Sequence, residues 1–361
     1  MSKMRAYFRD NPLSYMLLFI PAALIAEWVG WSPLLVFIFS ALAVVPLAGM
    51  IGTATEALAA YTGPRVGGLL NATLGNAAEL IITLVAIREG FLDLVKASIT
   101  GSILGNLLLV MGAAMVFGGV RHGLQRFDRR SASNHAILLI LAVMALVIPS
   151  IFSHSMGPET SVTVEALSLS VAAVMIILYA LGLLYNLRSA ESPVTHPSTE
   201  SINHHKPSLT VRQSFLLLAI STIGVVFMSE LLVGATEHVV ESLGLSEFFL
   251  GIILIPIVGN VAEHVVAVQV AMRNQMDLSV EIAVSSSVQV ALFVAPLLVF
   301  VSLLMGHPLT LIFNTFELLA VGSACIIAAL VAIDGESHWL EGAALLAVYI
   351  ILAVAFFLLP A

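Results

Sequence analysis

The chain has 361 residues, of which 60% are hydrophobic and only 10% charged, with a formal net charge of −8. A soluble protein keeps roughly a quarter of its residues charged to hydrate its surface, so this composition excludes a water-facing exterior and points to lipid as the solvent. The single cysteine, Cys325, excludes a disulfide framework and a thiolate metal site, and no basic cluster interleaved with aromatics points to nucleic acid.

A helix that spans a bilayer needs about 20 mainly apolar residues, and lipid-exposed backbone must close its own hydrogen bonds. The chain is therefore expected to be an all-α integral membrane protein. Eleven transmembrane helices are expected, near 13–29, 33–61, 66–88, 96–118, 133–152, 161–186, 211–240, 247–272, 279–305, 309–332 and 338–359. The first apolar run continues into a full span with no small-residue cleavage site after it, and so reads as a helix rather than a leader. Pro46, Gly75, Gly105, Pro256, Gly259 and Pro296 mark expected helix breaks. The polar stretch 188–210 carries His196, His204 and His205 among Ser, Pro and Thr. It reads as a solvated linker, with a weak metal-sensing tract as the rival reading.

The basic residues set the orientation. Lys3, Arg5 and Arg9 precede the first span, and Arg65 follows the second. Arg121, Arg126, Arg129 and Arg130 follow the fourth; Arg188, Lys206 and Arg212 follow the sixth; Arg273 follows the eighth. Only Arg88 and Lys96 fall on the other side. The N-terminus is expected in the cytoplasm and the C-terminus outside.

The segments flanking the linker repeat one another. Gly75-Asn76-Ala77-Ala78-Glu79 matches Gly259-Asn260-Val261-Ala262-Glu263 at an offset of 184 residues. Ala54-Thr55-Glu56 matches Ala235-Thr236-Glu237 at 181, and Ser102 and Leu108 match Ser286 and Leu292 at 184. Three islands in one order give a layout of a tail and peripheral first helix (1–30), a five-helix repeat (31–187), a cytoplasmic linker (188–210) and a second five-helix repeat (211–361). Five spans is an odd number, so the second copy enters the membrane from the opposite face. Such inverted-topology pairs form substrate sites near the midplane.

Glu79 and Glu263 fall near the centres of their spans, where a charge costs about 2.5–3.5 kcal/mol on insertion scales. Two such carboxylates are expected to face each other or a watery cavity; protonated glutamates bonded between helices are the plainer reading. Calcium takes six to eight oxygen ligands. The two glutamates supply charge, Asn76 and Asn260 supply amide oxygens one turn earlier, and Gly75 and Gly259 are expected to open each helix so that carbonyls join. Protons compete there, since an apolar pocket disfavours two bare carboxylates and a divalent ion displaces what neutralises them. Ser102 and Asn106 of the fourth span, with Ser286 and Gln289 of the ninth, are expected to line the pathway. For Ser98, Ser285 and Ser287 close helix packing explains as much. Glu56 and Glu237, one near each mouth, are candidates for proton access or gating, with interface-level solvation as the alternative. Glu230, nearer mid-depth, is a relay candidate, and His264 either orients Glu263, carries protons or simply packs.

The paired Gly-Asn-x-x-Glu motifs, the second followed by His264, resemble the repeat signatures of the cation/proton exchanger family within the calcium/cation antiporter superfamily. The resemblance covers about residues 45–360 and is strongest over 69–88, 101–112, 256–271 and 285–296. It implies a secondary transporter that exchanges calcium for protons by alternating access, an antiporter rather than an enzyme, with no cofactor beyond the transported ions. It also implies Glu79 and Glu263 as the central ligands, and Glu56, Glu230 and Glu237 at acidic positions associated with gating and proton access. The expected setting is a prokaryotic inner membrane, and a homo-oligomer is compatible with it. The linker departs from the family pattern: Glu191 and Glu200 stand there instead of an acidic run. The nearest rival is a sodium/calcium exchanger of the same superfamily, disfavoured by Glu263-His264 and by the extra first span. An intramembrane metalloprotease would need His-Glu-x-x-His, which does not occur, and a passive channel fits poorly with an inverted repeat.

Overall fold

The computed structural model describes residues 12–188 and 209–359. Lys3, Arg5 and Arg9, and the linker residues Glu191, His196, Glu200, His204, His205 and Lys206, lie outside the described residues.

The described chain is helical almost throughout. A 3-10 turn at Pro12–Leu18 leads into α1 (Phe19–Val29), which ends on Gly30 in the left-handed region at φ 75°. Then come α2 (Pro33–Leu74), α3 (Ala77–Arg88), α4 (Leu92–Leu104), α5 (Met111–His122), α6 (Arg129–Met156) and α7 (Val162–Arg188). After the linker run α8 (Val211–Gly234), α9 (Thr236–Leu243), a one-turn helix Glu247–Phe249, α10 (Ile255–Ala271), α11 (Met276–Gln289), α12 (Ala295–Met305), α13 (Thr315–Val331) and α14 (Trp339–Phe357). Among the described residues eight stretches are long and apolar enough to cross a membrane, and Ser14–Val29 and Thr315–Val331 are shorter apolar helices. Outward-facing Val174, Ile177 and Leu181 on α7, Phe215, Ile220 and Phe227 on α8, and Ile350, Ile351 and Val354 on α14 present an apolar surface that only lipid would solvate. The protein is a multi-pass membrane protein.

Helix α2 has 42 residues, about 63 Å if straight and twice the hydrocarbon thickness. It is not straight. A Cβ built on Gly67 would lie 2.9 Å from both the Cβ and the carbonyl oxygen of Ala59, although a straight helix separates residues eight apart by about 12 Å. The chain doubles back between them, and a side chain at Gly67 would block the approach. The expected junction between the spans at 33–61 and 66–88 is therefore a tight helical elbow, with the Tyr61 hydroxyl donating to the Leu209 carbonyl at 3.0 Å. Pro46 leaves α2 unbroken. The break expected at Gly75 is present, as a turn at Gly75-Asn76 between α2 and α3.

Among the described residues three π-helical turns interrupt the buried helices: Gly105–Val110 between α4 and α5, Leu250–Leu254 before α10, and Val290–Val294 between α11 and α12. Pro256 and Pro296 sit in the first turn of the helices that follow, where a missing N–H costs nothing. Gly259, by contrast, lies inside an unbroken α10. The expectation that Gly259 opens its helix is therefore corrected: Pro256 and the π turn move the irregularity one turn upstream. The span expected at 211–240 divides at Ala235, between α8 and α9.

Gly101 sets the closest helix crossing, because a Cβ there would collide with the Ile252 carbonyl and the Pro256 ring. Gly251 answers it from the other side, its absent Cβ replaced by Ala97 and the Leu94 carbonyl. This contact presses α4 against the start of α10. An element absent from the all-helical expectation is a two-residue antiparallel bridge, β1 (Gln125–Arg126) with β2 (Glu336–Ser337), paired Gln125↔Ser337 and Arg126↔Glu336. It ties the loop after α5 to the loop before α14, and the Gln125 amide donates to the Ala271 carbonyl at 2.9 Å and to Asn274 at 3.0 Å.

Candidate functional site

The two motifs meet in the interior. Asn76 occupies the N-cap position of α3 without a side-chain cap bond, and Glu79 falls in the first turn, 1% exposed. Glu263 lies in the middle of α10 and is half-buried. Each glutamate lies against the glycine of the other motif. A Cβ on Gly75 would stand 3.4 Å from Glu263 Oε1, and one on Gly259 would stand 3.7 Å from the Cα and Cβ of Glu79. Both separations are ordinary van der Waals contact, so each glutamate packs directly on the other motif's backbone; what excludes a side chain at Gly75 is the Asn71 carbonyl, 2.7 Å from such a Cβ.

Hydroxyls and amides from α4, its π turn and α11 hold the acids. The Ser102 hydroxyl donates to Glu79 Oε1, and the Asn260 amide donates to Ser102 Oγ at 3.2 Å and to the Pro256 carbonyl at 3.1 Å. The Ser286 hydroxyl donates to Glu263 Oε2 at 3.0 Å, and the Asn106 amide donates to Ser286 Oγ at 3.1 Å. Asn76 Nδ2 donates to Gln289 Oε1 at 2.7 Å. All ten residues placed by sequence in the central site and pathway thus fall into one connected cluster: Gly75, Asn76, Glu79, Ser102, Asn106, Gly259, Asn260, Glu263, Ser286 and Gln289.

Two oxygens in this cluster are buried without a hydrogen-bond partner, Glu79 Oε2 and Asn76 Oδ1. An acceptor oxygen stranded in an apolar interior is costly, on the order of 1–3 kcal/mol. Both are hard oxygen donors on the side of the motif where the chain breaks. Among the described residues no group of three or more His, Cys, Asp and Glu side chains gathers in the manner of a tight metal centre. The arrangement offers two carboxylates and neutral oxygens, which suits a hard cation that must also leave.

The remaining candidates lie elsewhere. His264 makes no hydrogen bond to Glu263, and its buried Nε2 has no partner. Glu56 on α2 and Glu237 on α9 are both exposed. Glu230 is engaged with Arg88 at 3.0 Å, at the last residue of α3. A second polar group, unforeseen from sequence, surrounds Lys96, which is buried yet bonded to Glu159 and 3.6 Å from Asp93. Thr310 also donates to Glu159, and Thr100 donates to the buried Glu317 at 3.2 Å. The lone Lys96 in the early turns of α4 was the available signal, but its partners come from α6–α7 and α12–α13 loops that no local pattern connects.

The chain matches the sodium/calcium exchanger protein family over residues 32–188 and 213–358. It is 45% identical over 357 residues to the Ca(2+)/H(+) antiporter of Aphanothece halophytica, covering 96% of each chain. It is 42% identical over 344 residues to a Ca(2+)/H(+) antiporter of Bacillus subtilis strain 168, covering 94% of this chain and 97% of that one. The solved structure of native YfkE, a Ca2+/H+ antiporter protein, superposes with a TM-score of 0.84 at 39% identity, covering 96% of this chain and 100% of that chain.

Proposed function

The chain belongs to the sodium/calcium exchanger protein family, and from that premise we propose that Glu79 and Glu263 form the one central site of a calcium/proton antiporter, occupied by a calcium ion or by protons but not by both. The protein is a membrane transporter, not an enzyme, and calcium and protons are its cargo; full-length relatives at 42–45% identity carry that activity in their names. The observation that carries the site assignment is the reciprocal packing of each glutamate on the other motif's glycine, with Glu79 Oε2 and Asn76 Oδ1 left unpartnered.

Competition follows from the donor set. Without a cation, two adjacent carboxyls in a dehydrated pocket need protons to limit their repulsion. A calcium ion supplies two positive charges and draws on both carboxylates and the unpartnered Asn76 side-chain oxygen, so it drives the protons off. Ser102 and Ser286 hold one oxygen of each acid in position whichever ion is present.

Around that site we place eleven spans: a peripheral first helix and two inverted five-helix repeats, 31–187 and 211–361, joined by the cytoplasmic linker. The positive-inside distribution favours a cytoplasmic N-terminus and an outer C-terminus, in the inner membrane of a prokaryote. Two halves of opposite topology rocking about a shared midplane site would expose it to each face in turn. Glu56 and Glu237 would then serve the two mouths, and no cofactor beyond the cargo enters the scheme. The test is calcium uptake into proteoliposomes driven by a pH step with sodium absent. Uptake that tracks the proton gradient is the expected result; uptake that requires sodium would overturn it in favour of sodium/calcium exchange.

A further inference from the structure

A cavity of about 210 Å³ runs alongside α11. Glu281, Ser285 and Gln289 line it at intervals of four residues, hence on one helix face, spanning about 12 Å of the axis. Asn71 of α2 and His135 of α6 face them across the space. Toward one end the cavity is lined by Leu292 and by Gln289, whose Oε1 accepts from Asn76, the residue three positions before Glu79. Toward the other it is lined by Leu278 and Glu281, the latter little more than one turn from the start of α11, which follows the Arg273 loop. Glu281 has no hydrogen-bond or ion-pair partner among the described residues. Asp277, one turn earlier on the same helix, adds a second negative charge, its carboxylate accepting from the Asp128 backbone N–H.

We propose that this cavity is the access path from the Arg273 face to the Glu79–Glu263 site, and that Glu281 is the carboxylate that draws the cation into it. An unpaired acid inside a membrane helix is expensive and marks an ion route more often than a fold contact. In a narrow low-dielectric cavity its field concentrates cations. Ser285 offers a hydroxyl one turn further in, and the Asn76–Gln289 amide pair closes the inner end. Breaking that 2.7 Å bond would release Asn76 to turn toward the incoming ion. The inference rests on the antiport reading and on the Arg273 loop being cytoplasmic.

The test uses the full chain in oriented proteoliposomes. Glu281→Gln is expected to raise the calcium concentration for half-maximal transport at the Arg273 face about five- to tenfold, the worth of one poorly screened charge on a divalent ion. The opposite face keeps its value, and Glu281→Asp restores the first face to within about twofold, since it retains the charge. An independent reading comes from Ser285→Cys in a Cys325→Ala background, which removes the only native thiol. A charged, membrane-impermeant thiol reagent should modify it from the Arg273 face alone, more slowly with calcium present. Half-saturation unchanged by Glu281→Gln, or labelling from the opposite face or from neither, overturns the path. Absence of pH-driven calcium uptake in the parent chain would instead overturn the antiport reading, while the labelling still decides the path.

Discussion

Ser102 and Ser286 each stand between a glutamate of their own half and an amide of the other. Each hydroxyl donates its one proton to the acid and accepts from the amide, so neither has a donor left over, and both fix where a carboxylate oxygen sits. Orienting groups of this kind typically change metal affinity 10–100-fold. Ser102→Ala and Ser286→Ala should therefore weaken calcium half-saturation about tenfold, and Ser102→Thr should retain it, as flux measurements on vesicles would read. Unchanged affinity in both alanine variants would mean the hydroxyls serve packing alone. Glu79→Gln and Glu263→Gln remove charge while keeping shape, and each should abolish calcium/proton exchange; transport surviving either one would sink the central site. The repeat made both acids, both serines, Asn76 and Asn260 legible from sequence, while Asn106 and Gln289 stood out only as polar groups within their spans. The pairing of Asn76 with Gln289 was not legible, because Gly105 holds the position matching Gln289 and Val290 the position matching Asn106. The cluster is symmetric in its acids and hydroxyls and asymmetric in its amides, and no spacing rule says which amide finds which partner.

At the scale of elements, irregular backbone decides where the polar groups go. Two of the π turns, Gly105–Val110 and Val290–Val294, fall at matching places in the two halves, each shortly after the serine that holds a glutamate. A π turn inserts a residue into the helical count and re-aims the side chains beyond it, which is why such turns gather at functional sites. Periodicity in the sequence gives the helix and its apolar face, but a one-residue insertion leaves hydrophobicity unchanged and so leaves no mark. The junction between the spans at 33–61 and 66–88 was legible; its form was not, because the helix runs on through it and doubles back where Gly67 lacks a side chain. The crossing of α4 over the start of α10 can be tested directly. Gly101→Ala would drive a methyl group into the Ile252 carbonyl and the Pro256 ring, an overpacking that typically costs about 1–3 kcal/mol. It should lower the apparent melting temperature in detergent and reduce transport, because Ser102 and Asn260 ride on the two helices being forced apart. Gly52→Ala meets nothing within 4 Å and should melt no lower than the parent, as expected of a helix interior that gains propensity. Equal melting of the two variants would show that the crossing is not tight.

Taken whole, the molecule repeats its chemistry more faithfully than its backbone. The chain breaks at Gly75-Asn76, while α10 runs unbroken through Gly259; Glu79 is sealed and Glu263 is half-buried. On the proposed reading of two opposed halves, a single pose leaves them unequal, since one face is nearer to opening than the other, and sequence, which both poses would share, carries no record of that choice. What both poses must preserve is the exclusion between ions, and this has a pH signature. If calcium binding expels one proton, its apparent dissociation constant falls about tenfold for each pH unit gained while the site remains protonated; if it expels two, about a hundredfold. Calcium titrations at a series of pH values should therefore show affinity rising with pH at a slope between one and two, then levelling once the free site no longer holds a proton. The same binding should release protons, measured as a buffer-dependent heat whose magnitude tracks the buffer's ionisation enthalpy. A slope of zero with no proton release would mean that calcium and protons occupy separate places, and the two glutamates would then need another explanation for meeting in the centre of a membrane.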